Sequence, residues 1–146
     1  MIHLVTGGSG SGKSAYAEQC ILDFGGTRRV YIATMQPFGA EGQARIARHR
    51  KMRAAKKFST IECYTNLKEV ELEPGSDVLL ECMSNLTANE IFDPSGAGKA
   101  RTEEEILAGV SRLAHQARNL VLVTNEIFSD GYRYEEETCL LYTSPS

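Results

Sequence analysis

The segment from Gly7 to Ser14 reads GGSGSGKS and satisfies the pattern G-x-x-x-x-G-K-[S/T] in full. It directly follows the apolar run 2–6, which is typical of a buried strand. Apolar residues then recur at helical spacing over 13–24, until two consecutive glycines end the pattern. A flexible Gly/Ser turn can produce the same letters by chance. The preceding strand and following helix favour a phosphate-binding loop, because that motif requires both.

Each residue type in this loop has a physical reason to be there. Glycine lets the backbone bend so that its N–H groups meet phosphate oxygens, and the helix directs its positive end at them. The side chain of Lys13 is expected to reach the β- and γ-phosphates, and the hydroxyl of Ser14 is expected to bind Mg²⁺. The predicted nucleotide-binding residues of the loop are Gly7, Gly8, Ser9, Gly10, Ser11, Gly12, Lys13 and Ser14.

Binding of Mg²⁺ also needs a carboxylate, which normally lies at the end of a neighbouring strand and acts directly or through water. Two acids meet this description: Glu81 ends the apolar run 77–81, and Glu126 follows the run 120–124. Either is equally compatible with an ordinary surface acid. Glu81 is the preferred metal ligand because it directly ends its run.

Apolar runs that end in a polar residue recur along the chain and predict buried strands. Besides 2–6, the predicted strands are 30–34, 59–63, 77–81 and 120–124, and the predicted helices are 13–24, 43–53, 84–92 and 102–118. Thr102 and Glu105 have the spacing of a capping box at the start of the last helix. This alternation predicts an α/β fold, a P-loop NTPase-like three-layer sandwich with a mostly parallel sheet. Ligands of such folds bind at the carboxyl ends of the strands.

Composition and charge exclude several classes of protein. The chain has 146 residues, 42% of them hydrophobic, and a formal net charge of −3, which suits a single core and does not suggest nucleic-acid binding. No apolar run approaches the ~20 residues of a membrane-spanning helix. The N-terminus lacks the features of a secretory signal, so we expect a cytoplasmic location. The four cysteines stand far apart, which favours buried free thiols over a zinc site or a redox pair.

One segment departs from this acidic balance. Seven of the sixteen Lys and Arg residues fall within 45–57, and the same stretch contains no acidic residue. On a helix, Arg45, Arg48, His49 and Met52 would lie along one face. Arginines suit phosphates, and a neutral histidine can attack phosphorus. From residue types alone, a solvated basic helix with an incidental histidine is favoured, because a single histidine is a weak indication of chemistry.

The order of these motifs resembles the bifunctional adenosylcobinamide kinase / adenosylcobinamide-phosphate guanylyltransferase family of cobalamin biosynthesis. The likeness extends from residue 1 to about Thr138. The RIxxHR, LLEC and VTNE segments are far more specific to that family than the phosphate loop alone. The matching segments are LVTGGxxSGKS at 4–14, YIAT at 31–34, ARIARHR at 44–50, TIEC at 60–63, LLEC at 79–82 and VLVTNE at 121–126.

The resemblance implies two reactions at one nucleotide site. GTP or ATP would donate its γ-phosphoryl group to adenosylcobinamide with Mg²⁺. His49 would then attack the α-phosphorus of GTP and form a guanylylated histidine, which passes GMP to adenosylcobinamide phosphate. This reverses the interpretation of His49 as incidental. A plain P-loop small-molecule kinase and a non-catalytic nucleotide-binding fragment are the alternatives. The residues implied to bind nucleotide, besides the loop, are Ala33, Thr34, Met35, Arg50, Lys51, Met52, Arg53, Glu62 and Glu81.

The C-terminal segment departs from the family pattern. Family members continue past VTNE through another helix and a final strand. We therefore expect this chain to lack that helix and its sheet to lack that strand. Residues 1–138 are predicted to form the nucleotide-binding domain, incomplete at its end. Residues 139–146 are predicted to be a non-native tail, because they resemble a translated sequencing adapter. The family also implies a homo-oligomer, a trimer.

Overall fold

The computed structural model describes residues 2–7, 12–36 and 39–125, and of Asn125 only the backbone. Predictions for loop residues 8–11, for Glu126 and for the tail 139–146 lie outside the described residues. The described part contains five strands and four α-helices. The strands are β1 (Ile2–Gly7), β2 (Arg28–Ala33), β3 (Phe58–Glu62), β4 (Ser76–Leu80) and β5 (Asn119–Asn125). The helices are α1 (Lys13–Asp23), α2 (Gly39–Ala55), α3 (Met83–Phe92) and α4 (Thr102–Gln116), with a 3₁₀ turn at Leu67–Glu69. Helices α3 and α4 are consecutive, and the 3₁₀ turn lies between β3 and β4.

The strands form one sheet in the order β1-β5-β4-β2-β3, and each of its pairings is parallel. The register pairs Leu4 with Leu122, Leu122 with Leu80, and Leu80 with Ile32, so apolar residues lie side by side across the sheet. Because both faces of a parallel sheet are covered, its strands have the near-continuous apolar runs seen in the sequence. The five predicted strands are confirmed to within two residues at each end.

Successive side chains of each strand enter cores on opposite faces of the sheet. On one face, Tyr31, Leu79 and Val121 pack with Ala17 and Ile21 of α1. The other face packs against α3, α4 and the 3₁₀ turn. Helices therefore cover both faces, and the predicted α/β three-layer arrangement, which is compatible with a P-loop NTPase-like fold, is confirmed. The fully buried residues of the second core include Ile32, Leu67, Val78, Leu80, Leu86, Ile106, Leu113, Leu120 and Leu122.

The predicted capping box at the start of α4 is wrong. Thr102 lies inside the first turn, and its hydroxyl donates to the carbonyl oxygen of Gly98 at 2.7 Å. Arg101 is the N-cap residue and makes no side-chain capping hydrogen bond. The carboxylate of Glu105 pairs instead with Lys68 at 2.8 Å and with Arg101 at 3.1 Å. Two cations therefore bind the Glu105 carboxylate, which in a capping box would accept a backbone N–H.

The basic helix α2 is longer than predicted, since it begins at Gly39 rather than at residue 43. Predicted free thiols are found at Cys20, Cys63 and Cys82, of which Cys63 and Cys82 are buried and Cys20 is half-buried; Cys139 lies outside the described residues. No α-helix in the described part of the chain is both long and apolar enough to cross a membrane.

Candidate active site

A cleft of about 380 Å³ opens at the edge of the sheet where the carboxyl ends of the strands meet. Four elements contribute to it: the start of α1, β2 with the residues that follow it, α2, and the start of α3 with the residues before it. Most of its side chains are charged or polar, so the cleft suits a charged ligand that forms hydrogen bonds. The lining residues are Lys13, Ser14, Glu18, Tyr31, Met35, Arg45, His49, Met52, Arg53, Glu81, Cys82 and Asn85.

The amino end of α1 lies at this cleft. Lys13 and Ser14 begin the helix, and both line the cleft. Gly12, the residue before them, has a φ of +82°, a left-handed conformation that favours glycine because it lacks a Cβ atom. The unpaired N–H groups and positive dipole end of a helix attract anions. The structure therefore places the two predicted phosphate- and Mg²⁺-binding side chains at one anion-attracting end.

Glu81 directly follows β4 and lines the same cleft. Its Oε2 accepts a hydrogen bond from the backbone N–H of Thr34 at 2.9 Å. The hydroxyl of Thr34 donates to the carbonyl oxygen of Cys82 at 3.1 Å, and its own carbonyl oxygen accepts from the amide of Asn89 at 2.8 Å. Thr34 is fully buried and lies beneath the site. Its neighbour Met35 lines the cleft, and its neighbour Ala33 lines a small adjoining cavity.

Helix α2 presents Arg45, His49, Met52 and Arg53 to the cleft. Residues four apart on a helix lie on the same face, so the row formed by residues 45, 49 and 53 faces the nucleotide-binding side. The sequence predicted Arg48 on the same helix face as Arg45 and His49. In the structure it is exposed and does not line the cleft. His49 thus shares one cleft with two arginines and with Lys13 of the phosphate loop.

The remaining residues implied by the family likeness lie around the cleft rather than in it. Arg50 and Glu62 form a salt bridge and line a shallow depression with Phe58 at the outer edge of the sheet. Glu62 also lines the small adjoining cavity, together with His49. Lys51 is exposed and is not among the residues that line the cleft.

Arg53 and Tyr31 form a buried pair at the base of the cleft. The guanidinium carbon of Arg53 lies 3.7 Å from the centroid of the Tyr31 ring. Arg53 is 5% exposed and Tyr31 is 7% exposed. Burial raises the pKa of the Tyr31 hydroxyl well above its ordinary value, and the nearby Glu81 carboxylate raises it further. Tyr31 is therefore a neutral phenol, and its ring face is the partner of the arginine.

Sequence reasoning missed four residues that line the cleft, one of which, Cys82, was predicted only as a buried free thiol. Glu18 lies four residues after Ser14 on α1, so the helical spacing was the signal that would have found it. Its carboxylate pairs with Lys56 at 2.7 Å. Tyr31 belonged to a matching segment but was given no role. Asn85, in the first turn of α3, has no residue-type signal and is found only from the fold.

The donors in the cleft fit a nucleotide-bound Mg²⁺ ion. Magnesium in such sites is held by one or two protein groups, together with phosphate oxygens and water. Ser14 supplies a hydroxyl, and Glu81 supplies a carboxylate with lone pairs beyond the bond from Thr34. Within residues 2–7, 12–36 and 39–125, no group of three or more His, Cys, Asp or Glu residues could hold a metal by itself.

The parallel sheet, the glycine-bounded start of α1 and the charged cleft at the carboxyl edge define an α/β nucleotide-binding protein of the P-loop class. The profile of the family CobU, cobinamide kinase / cobinamide phosphate guanyltransferase, matches residues 3–142. Two relatives are each named "Bifunctional adenosylcobalamin biosynthesis protein CobU", one from Escherichia coli (strain K12) and one from Salmonella typhimurium (strain LT2). Each is 35% identical over 140 residues, which cover 87% of this chain and 76% of the relative. The chain belongs to this cobinamide kinase / cobinamide phosphate guanyltransferase family.

Proposed function

We propose that this protein phosphorylates adenosylcobinamide and then transfers GMP from GTP to adenosylcobinamide phosphate, giving adenosyl-GDP-cobinamide in cobalamin biosynthesis. The observation that carries the proposal is the position of His49, which faces the same cleft as Lys13 and Ser14. In this proposal a nucleotide binds with its γ-phosphoryl group at Lys13 and Ser14 and with its α-phosphoryl group towards His49, since all three residues line the cleft. Membership of the family supports both activities.

The kinase step relies on charge stabilisation by groups that are already in place. Lys13 neutralises charge on the β- and γ-phosphate oxygens, and the amino end of α1 adds backbone N–H donors. The aminopropanol hydroxyl of adenosylcobinamide attacks the γ-phosphorus, the bond between γ-phosphorus and the bridging oxygen breaks, and the nucleoside diphosphate leaves. The hydroxyl proton passes to solvent or to a carboxylate in the cleft.

The guanylyltransferase step uses His49 as the nucleophile. A neutral ring nitrogen attacks the α-phosphorus of GTP, an N–P bond forms, the bond to the β-phosphate oxygen breaks, and pyrophosphate leaves. A phosphate oxygen of adenosylcobinamide phosphate then attacks the same phosphorus, the N–P bond breaks, and His49 regains its lone pair. Arg45 and Arg53 line the cleft beside His49 and are placed to neutralise the transferring phosphoryl group.

We assign the Mg²⁺ ligands of this chain to Ser14 and Glu81. When bound there, Mg²⁺ supplies charge neutralisation to the phosphate oxygens. Glu81 also holds the backbone of Thr34, so its carboxylate stays oriented towards the cleft in the absence of nucleotide. Either GTP or ATP fits the phosphate-binding groups, since these groups contact no base.

The proposal extends to the setting of the reaction. We propose a cytoplasmic location, where nucleoside triphosphates are available, and a homotrimer, in which a neighbouring subunit covers part of the exposed α2. Light scattering of the purified protein tests the trimer.

We further propose that the nucleotide-binding domain comprises residues 1–138 and that residues 139–146 are a non-native tail. Sequencing of the locus tests this boundary, which a genuine stop codon after Ser146 would contradict.

Labelling with GTP tests the central claim. The full chain is incubated with Mg²⁺ and GTP labelled at the α-phosphorus, and the washed protein is assayed for an acid-labile, alkali-stable label. We expect the wild-type chain to be labelled and His49→Ala to carry no label. His115→Ala is the matched control, because His115 is an exposed histidine on α4 whose Nδ1 contacts the carbonyl oxygen of Ser111; it should label like wild type. An unlabelled wild type, or a labelled His49→Ala, would refute the histidine chemistry and favour a plain kinase.

A further inference from the structure

Helix α2 is attached to the rest of the protein almost entirely at its carboxyl end. Of the residues from Gly39 to Ala55, all of which are described, Arg53 is the one that is buried. The contacts beside it are an ion pair from Lys56 to Glu18 at 2.7 Å and a hydrogen bond from Arg29 to the carbonyl oxygen of Lys56 at 3.1 Å. The first three turns of the helix are exposed or half-buried. The orientation of α2 is therefore set by these contacts and by the Arg50–Glu62 ion pair, all of which lie in its last two turns or just after them.

The stack of Arg53 on Tyr31 is more deeply buried than the other contacts of α2. The lysine and carboxylate of the Lys56–Glu18 pair are 43% and 18% exposed, and both partners in the Arg50–Glu62 pair are nearly half exposed. Exposed ion pairs contribute little, because water and salt screen them. A guanidinium over an aromatic ring contributes more when both groups are desolvated, as Arg53 and Tyr31 are. The ring of Tyr31 is itself held edge-on by Phe58, with ring centroids 6.3 Å apart.

Helical geometry connects this stack to the proposed nucleophile. Residues 49 and 53 are four apart, so His49 lies one turn from Arg53, about 6 Å along the same face of α2. A small change of tilt at Arg53 is thus carried directly to His49. Lys13 and Ser14 belong to α1, which packs on the sheet through Ala17 and Ile21 in the core that also contains Tyr31. A leucine at position 31 keeps an apolar side chain in that core and removes the aromatic face under Arg53.

We propose that Tyr31 is a positioning residue: its ring, stacked under Arg53, fixes the carboxyl end of α2 and thereby sets His49 in the cleft. This inference rests on the proposed function, since it assigns Tyr31 to the guanylyltransferase step in particular. The ring face carries the role and the hydroxyl does not. Loss of the ring should therefore lower guanylylation of His49 more than phosphoryl transfer.

The test compares Tyr31→Leu with Tyr31→Phe, which keeps the aromatic face. For each full-length variant, two rates are measured: labelling of His49 by α-labelled GTP, and phosphorylation of adenosylcobinamide by γ-labelled GTP. Tyr31→Leu should lower the ratio of labelling to phosphorylation by about tenfold, the effect expected from losing a desolvated cation–π contact. Tyr31→Phe should stay within about twofold of wild type. Tyr16→Leu is the matched control, because Tyr16 is 55% exposed and does not line the cleft.

A second measurement does not depend on either reaction. Trypsin cleaves after the arginines of α2 only when the helix unfolds locally, and a helix that has lost its contacts unfolds more often. Mass spectrometry of early fragments therefore reports its attachment. Tyr31→Leu should speed cleavage after Arg45 and Arg48, and Tyr31→Phe should not. If Tyr31→Leu does not fold, Arg53→Met removes the charge from the other side of the stack and should speed the same cleavages.

Three results would overturn the positioning role. These are equal loss of both activities in Tyr31→Leu, an equal defect in Tyr31→Phe, or unchanged cleavage of α2 in both Tyr31→Leu and Arg53→Met. A wild-type chain that never becomes labelled refutes the proposed function instead. In that case the cleavage pattern still decides whether Tyr31 holds α2.

Discussion

Glu81 has two separate tasks at the scale of a single residue. One carboxylate oxygen accepts the N–H of Thr34 and so orders the residues after β2. The charge of the same group faces the cleft, where it is assigned to Mg²⁺. A substitution that keeps the hydrogen-bond acceptor but removes the charge separates these two tasks, because an amide oxygen also accepts a hydrogen bond.

We therefore expect Glu81→Gln to fold like wild type and to lose at least about 100-fold in phosphoryl transfer, since a ligand to the metal is lost. Glu81→Ala should show the same loss and, in addition, a lower melting temperature, because the N–H of Thr34 loses its partner. Thermal melts and steady-state kinase rates of both variants are the measurements. Full activity in Glu81→Gln would contradict the metal assignment.

The buried thiol of Cys63 allows a prediction about pH. Burial raises its pKa to about 11, and the nearby carboxylate of Glu90 adds to the effect. The reactive thiolate is thus scarce below pH 10, and Cys63 in the folded protein should react more slowly with iodoacetamide at pH 8 than in urea. The half-buried Cys20 is the internal comparison and should react before Cys63. Peptide mass mapping over time gives both rates; rapid native modification of Cys63 would be inconsistent with its burial.

The raised pKa of Cys63 also makes the free energy of unfolding depend on pH. The unfolded thiol loses its proton near pH 9.0, and the folded thiol keeps it until about pH 11. The folded state therefore binds more protons than the unfolded state between these values. The contribution of Cys63 to stability is fully present below pH 9 and is lost as the pH rises through 11.

Part of the candidate site could be predicted from the residue types in the sequence. The loop motif predicted Lys13 and Ser14 as site residues, and the polar end of a buried strand predicted Glu81; the structure places all three along one cleft. The exposure of Arg48 and the hydrogen bonds of Thr34 were not foreseen. A stripe on a helical wheel has no defined centre until the helix docks, and the partners of Thr34, a predicted nucleotide-binding residue, are residues 81, 82 and 89, which are far away in the sequence.

At the scale of elements, the close approach of α4 to the 3₁₀ turn depends on the absence of a side chain. A Cβ atom at Gly109 would lie 2.7 Å from the Cβ atom of Leu67, closer than real Cβ atoms approach. Leu67 is 1% exposed and belongs to the core beneath α4. The glycine in the middle of this helix therefore serves packing, although it costs helix propensity.

Gly109→Ala tests this packing. Alanine is the better helix former by about 1 kcal/mol, whereas overpacking a core costs about 1–3 kcal/mol, so we expect a net loss of stability on denaturation in urea. The double variant Gly109→Ala with Leu67→Gly should be less unstable than the sum of the single changes, because glycine at position 67 removes the Cβ, Cγ and Cδ2 atoms that the new methyl group would meet. Additive effects, or a more stable Gly109→Ala, would show that the helix and the turn can separate without cost.

The start of α2 has the largest boundary error of the element prediction, whereas the starts of α1 and α4 were predicted at the observed residues and that of α3 within one residue. α2 begins four residues before its predicted start, because nothing in its sequence caps the helix at residue 43. The capping box at Thr102 failed because Lys68, 37 positions away in the chain, competes for Glu105. Strands were placed better, since their apolar runs record burial on both faces.

At the scale of the whole molecule, the strand order β1-β5-β4-β2-β3 follows from long-range packing and is not contained in any local pattern. The location of the site was nevertheless predictable, because every parallel strand ends at the same edge whatever its place in the sheet. This edge brings together α1, which carries the phosphate-binding residues, and α2, which carries His49. A nucleotide that contacts both Lys13 and His49 would therefore link α1 to α2.

Such a link predicts that nucleotide stabilises the whole fold. GTP with Mg²⁺ at 100 times its dissociation constant should raise the free energy of unfolding by about 2.7 kcal/mol, because it binds only the folded state. For a chain of this size, that corresponds to an increase in melting temperature of about 5–10 °C. Guanosine, which lacks phosphates, should give a much smaller increase, since the described lining groups are mainly cations and anion-binding donors. Lys13→Ala should reduce the increase with GTP, measured from the melting temperature of the same variant without ligand. An equal increase with guanosine would place the main binding energy on the base, and would remove the phosphate loop from its central role.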